Sequence, residues 1–99
     1  MFALVVRFDC PDEDAASGFD DLVTALLPQI AAREPGTLTY AVHTVQDAPL
    51  SRVFYECYRD REAFEEHERQ PHTAHFLARR HDFTSGTRVE FLNPTGSGT

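Results

Sequence analysis

Between Met1 and Asp9 the side chains alternate with a period of two. Phe2, Leu4, Val6 and Phe8 form one set, and Ala3, Val5, Arg7 and Asp9 the other. This is the pattern of a strand with one wholly apolar face. The second set turns charged at Arg7, which places that side chain either at the mouth of a pocket or in solvent. From Phe19 the period changes. Phe19, Leu22, Val23, Leu26, Leu27 and Ile30 recur at helical spacing and predict a helix with a wide apolar stripe. The acidic turn Pro11-Asp12-Glu13-Asp14 leads into it, suited to the positive end of the helix dipole. Pro28 removes a backbone donor and predicts a kink near Thr24. The helix ends by Glu34, because Pro35 disfavours helical geometry in the residue before it, and Gly36 permits the turn.

Alternation then returns. Thr37 to Gln46 reads as a second strand, with Leu38, Tyr40, Val42 and Thr44 on one face. Asp47-Ala48-Pro49 marks a turn. Ser51 to Arg59 reads as a third strand, with Val53, Tyr55 and Cys57 facing one way and Phe54, Glu56 and Tyr58 the other. The short connection predicts an antiparallel hairpin. Asp60 is a good N-cap for a helix over Arg61 to Gln70. Pro71 interrupts it and suits the first position of a new short helix, His72 to Asp82. After Gly86, Thr87 to Leu92 is a last strand with Val89 and Phe91 on one face.

The order β-α-β-β-α-β is the ferredoxin-like arrangement, an α+β fold with a four-stranded antiparallel sheet and both helical segments on one face. Residues 1–94 form the expected single domain and residues 95–99 a flexible tail. The uncovered sheet face carries too many apolar side chains to stand in water. A chain of 99 residues also buries a modest fraction of its surface alone. Pairing two sheets in a homodimer meets both difficulties.

Composition narrows the function. Nine basic residues stand against sixteen acidic ones, a net charge of −7. That argues against nucleic acid, which needs a basic face. No apolar run approaches a membrane span, and no signal-peptide pattern is present, so a cytoplasmic protein is expected. Cys10 and Cys57 have neither zinc-like nor disulfide-framework spacing and read as buried apolar residues.

Four of the five histidines, His67, His72, His75 and His81, fall in a run of fifteen residues. Imidazoles titrate near neutrality, which suggests acid–base chemistry. Their spacing across a proline does not suit a metal site, and no metal is expected. His67 stands at the edge of the buried helix face and His72 just after the bend, so both are candidate bases. Glu56 beside Tyr58 is a second candidate, as a base or as a structural acceptor. No nucleotide-binding loop and no nucleophile motif occurs.

Glu34-Pro35-Gly36-Thr37-Leu38-x-Tyr40, then Tyr55-Glu56-x-Tyr58-x-Asp60-x-x-Ala63-Phe64-x-x-His67, then Pro71-His72, resembles the antibiotic biosynthesis monooxygenase domain family. The likeness runs over residues 2 to 92. It implies a dimeric α+β barrel with a pocket between sheet and helices in each subunit. It further implies a cofactor-free monooxygenase acting on a quinol or related electron-rich phenol or polyketide, with molecular oxygen as co-substrate. Haem-degrading relatives rely on a tryptophan, and a characterised anthrone oxygenase also uses one; this chain has none. Such chemistry needs a base near neutral pKa, donors for an oxyanion and an apolar pocket for a flat ring. His67 or His72 would be the base. Arg7 or a tyrosine hydroxyl would hold charge, with Tyr58 and Glu56 close to substrate. Phe54, Phe64, Phe76 and Leu4 would wall the pocket. Two other functions fit the same residues: an isomerase or acid–base catalyst on a carbonyl compound, and a non-catalytic ligand-binding dimer.

Overall fold

The computed structural model describes residues 1–98. Its elements are β1 (Phe2–Asp9), α1 (Glu13–Arg33), β2 (Thr37–Val45), β3 (Ala48–Tyr58), α2 (Arg61–Arg69), α3 (Pro71–Arg79), a 3₁₀ turn (Arg80–Asp82) and β4 (Gly86–Leu92). The four strands form one antiparallel sheet in the order β2-β3-β1-β4. This is the ferredoxin-like α+β fold, with the helices packed on one face. Residues 93–98 carry no helix or strand. The tail expected over 95–99 includes Thr99, which lies outside the described residues.

Local chemistry accounts for the boundaries. Asp12 and Asp60 cap α1 and α2 by accepting the backbone N–H of Ala15 and Ala63, each at 2.8 Å. Pro28 falls inside α1 without ending it. The carbonyl of Thr24, deprived of its donor, lies on an exposed stretch where water can serve it. Pro71 starts α3, as its missing N–H allows.

The β2–β3 turn differs from expectation. Val45 pairs with Ala48, so the turn is Gln46-Asp47 and β3 begins three residues earlier than the pattern predicts. Asp47 takes the left-handed conformation, φ 65°, that a tight hairpin needs and that aspartate tolerates. Pro49 sits beyond the end of β1, whose pairing with β3 stops at Asp9–Ser51, so its missing donor breaks no ladder there.

The core lies between the sheet and α1. Leu4, Val6 and Phe8 of β1 and Phe54 of β3 meet Phe19, Val23, Leu26 and Ile30 of α1, with Phe76 of α3 closing the end. Phe8, Phe19, Phe54 and Phe76 form one aromatic cluster with centroids 5.0–6.0 Å apart. Toward β4 and α2 this packing opens into a cavity. The opposite sheet face is half-exposed. It carries Val5, Val53 and Tyr55, and a polar knot in which Arg7 and Ser51 both donate to Asp9. Among the described residues no helix is long and apolar enough to cross a membrane.

Candidate active site

The site is built around Glu34, the residue after the last turn of α1. Pro35 cannot continue the helix, and the chain turns back into β2 with the Glu34 carboxylate pointing inward. It is only 5% exposed. Its Oε1 accepts from His67 Nδ1 at 2.8 Å and from the Thr37 hydroxyl at 2.7 Å. Its Oε2 accepts from His72 Nε2 at 2.5 Å. Burial by itself would raise the pKa of this carboxyl. The three donors, with the electrostatic attraction of His67, outweigh it and hold the pKa below the ordinary glutamate value.

Both imidazoles belong to the bent helical segment. His67 lies in the last turn of α2 and His72 in the first turn of α3, so the break at Gln70-Pro71 lets two short helices aim at one carboxylate. The carboxylate assigns the tautomer of His67. In the neutral imidazole Nδ1 carries the hydrogen that Glu34 accepts, and the lone pair is on Nε2. That nitrogen lies 4.0 Å from Glu56 Oε1. The rings of Tyr40 and Tyr58 pack against His67 with centroids 5.5 and 5.3 Å away and fix its plane.

His67 and Glu56 open onto the cavity, which has a volume of about 290 Å³. That is at the small end for a ligand pocket and suits a compact ring system. Leu4, Phe54, Phe64 and Phe76 line it, together with Tyr40, Val89 and Phe91. Burial raises the Glu56 pKa, against the opposing pull of the Tyr58 hydroxyl, which donates to Oε1 at 2.5 Å, and of His67. Burial, and then the charges of Glu56 and Glu34, push the Tyr40 phenol well above its usual value, so it stays a neutral hydroxyl.

Three expected positions differ. Arg7 is not at the cavity. It sits on the opposite sheet face, donating to Asp9 at 3.1 Å and Ser51 at 3.0 Å. Strand parity requires this once the helices cover the Leu4 face. The cavity's arginine is Arg80, at the end of α3. Tyr58 is fully buried behind the wall and reaches the site through its hydrogen bond to Glu56 and its ring contact with His67. His72 does not line the cavity either; it holds Glu34 from behind. Glu34 itself is the main residue that sequence reasoning missed. Its signal was a charged residue at a helix end, locked by the following Pro-Gly into a turn that must fold under α2. Among the described residues, no group of three or more His, Cys, Asp or Glu side chains is placed to hold a metal ion.

Comparison with known proteins agrees with this architecture. A protein titled Rv0793 from Mycobacterium tuberculosis is similar at a TM-score of 0.86 and 26% identity, over 99% of this chain and 98% of that one. A candidate antibiotic biosynthesis monooxygenase from Caulobacter crescentus is similar in fold at a TM-score of 0.88 and 19% identity, over 96% and 90% of the two chains. Another from Nitrosomonas europaea reaches 0.84 and 20%, over 95% and 98%. No curated protein sequence matches. The profile described as antibiotic biosynthesis monooxygenase matches residues 1–79, and the chain belongs to that family.

Proposed function

We propose that this protein is a cofactor-independent monooxygenase that oxidises a quinol or a related electron-rich phenolic or polyketide compound, with His67 as the base. One observation carries the reading. A buried imidazole has its Nδ1 held by a buried carboxylate and its Nε2 free beside an apolar cavity of ring size. Ground-state dioxygen reacts poorly with closed-shell molecules, so an enzyme without a redox group must make the substrate electron-rich. Nε2 removes a proton from the bound phenol or carbon acid. The imidazolium that forms is stabilised by Glu34, and the apolar walls keep the substrate anion poorly solvated. The anion gives an electron to dioxygen, and the two recombine with a proton to a hydroperoxide at carbon. Loss of water from it leaves a carbonyl: one oxygen atom stays and the other leaves as water. The Tyr40 hydroxyl is the donor best kept neutral near the developing oxyanion.

The same reading includes a homodimer formed through the half-exposed sheet face around Val5, Val53 and Tyr55. Sedimentation at micromolar concentration checks this; a monomer there would remove the pairing. Catalysis is checked by oxygen uptake with naphthoquinols. Wild-type protein is expected to accelerate uptake, and His67→Ala to lose roughly 10²–10⁴-fold of that acceleration. Equal rates in the two proteins remove His67 from the mechanism. A carbonyl isomerase is the second reading, favoured by Glu56 standing 4.0 Å from Nε2, where a base and an acid could shuttle one proton. Turnover of an enolisable ketone without oxygen uptake would decide for it.

A further inference from the structure

Among the described residues lining the cavity, Arg80 is the one permanent cation, and its bonding is incomplete. Nη1 donates to the Thr87 hydroxyl at 2.9 Å, and the guanidinium lies 5.8 Å from the centre of the Phe8 ring. Nε is buried and has no hydrogen-bond acceptor among the described residues. None of their ion pairs involves Arg80; the nearby Asp82 is taken by Arg79. A buried donor without a partner is costly, and a cation without a counter-charge adds to that cost. Nε has no surface that a ligand atom can reach. With Thr87 bound at Nη1, Nη2 is the donor of this cation left for a ligand, and a guanidinium N–H to a carboxylate makes a strong, charge-assisted bond.

The sheet register places this group relative to the base. Leu4 pairs with Glu56, beside His67, and Phe8 pairs with Thr87, beside Arg80. Four strand residues separate the two levels, roughly 13 Å. Between them the cavity wall is Leu4, Val6, Phe54 and Phe76. Glu68 also borders the cavity but belongs to α2, next to His67, and is exposed. The cavity thus has a proton-accepting end, an apolar middle and a cationic end.

We infer that the substrate is a two- or three-ring aromatic carboxylate, its ionisable oxygen at His67 and its carboxylate on the Nη2 group of Arg80. The His67 end rests on the function proposed above; the Arg80 end does not.

Calorimetric titration with 6-hydroxy-2-naphthoate, its methyl ester and 2-naphthol tests this. The wild-type protein is expected to bind the acid roughly tenfold more tightly than the ester, the scale of one charge-assisted contact. Arg80→Gln brings the acid-to-ester ratio to about one and leaves 2-naphthol binding unchanged. Arg80→Lys keeps the charge with a shorter reach and no Nη2 donor, and falls between them. If Arg80→Gln does not fold, the wild-type ratio and Arg80→Lys carry the test. Equal binding of acid and ester by the wild type, the same ratio in Arg80→Gln, or no binding of either compound would overturn the inference. His67→Ala separates the two proposals: a preserved acid preference with no oxygen uptake in any protein sinks the oxygenase and leaves Arg80 standing.

Discussion

Replacing Glu34 by glutamine changes the fewest atoms and asks the most of the site. The carboxylate accepts three hydrogen bonds through two oxygens. Glutamine offers one carbonyl oxygen and an amide nitrogen that only donates. If the carbonyl takes the place of Oε1, His67 and Thr37 keep their acceptor, but the amide then faces the N–H of His72, which must change tautomer. Bonds to a charged acceptor are worth about 1 kcal/mol more than neutral ones, so three of them lose about 3 kcal/mol. Removing a buried charge returns part of this as relieved desolvation, leaving an expected net loss of about 1–2 kcal/mol at pH 7. The pH dependence follows from the direction of the shift. The folded-state pKa of Glu34 lies below the reference 4.5, so its contribution is complete above that value and is lost as pH falls through the folded-state value. Urea unfolding of both proteins from pH 3 to 7 should show a gap that is constant above about pH 5 and closes on acidification. Oxygen uptake should fall by about 10²-fold or more, because the imidazolium formed during turnover has lost its counter-charge. A variant with activity within threefold of wild type and a stability gap independent of pH would refute the role assigned to Glu34.

Two further substitutions probe the surroundings of the site. A Cβ at Gly36 would stand 2.6 Å from the Ala63 Cβ, so Gly36→Ala must push α2 away from the β2 turn. Overpacking of this kind costs about 1–3 kcal/mol, read by urea unfolding, and should weaken ligand binding as His67 shifts; an unchanged unfolding midpoint would contradict it. Glu56 has its folded pKa raised, so charging it opposes folding as pH rises through the ordinary glutamate range. Glu56→Gln keeps an acceptor for Tyr58, and thermal melts should show it gaining stability relative to wild type between pH 4 and pH 7; a gain that shrinks over that interval would contradict the shift.

The fold was legible because its signals are periodic and local. Leu4, Val6 and Phe8 define a face by parity alone, and Asp60 and Pro71 punctuate the helices whatever the tertiary context. The hairpin turn was placed late because Pro49 is a stronger local signal than the aspartate that takes the left-handed conformation at Asp47. His67 could be picked out because a polar side chain at the edge of an apolar helix face is conspicuous. Its partner could not. Glu34 stands 33 residues away, at a helix end where a glutamate is unremarkable, and only the docking of α2 under that turn joins them. That the arginine at the cavity is Arg80 and not Arg7 has another cause. Parity already put Arg7 opposite Leu4; what the pattern lacked was that α3 ends beside Phe8, which carries Arg80 to the cavity.

The position of β4 has a consequence for how such a protein diversifies. The proton-handling groups are anchored in the interior, on β3, on α2 and at the end of α1. The opposite wall is Thr87, Val89 and Phe91, on an edge strand that pairs with β1 alone. Val89 and Phe91 are 47% and 59% exposed, so exchanging them removes little buried surface. The shape of the cavity can therefore drift under mutation while His67 and Glu34 stay in place. An edge strand that aggregation pressure would ordinarily keep short and polar doubles as the surface on which the shape of the cavity is rewritten.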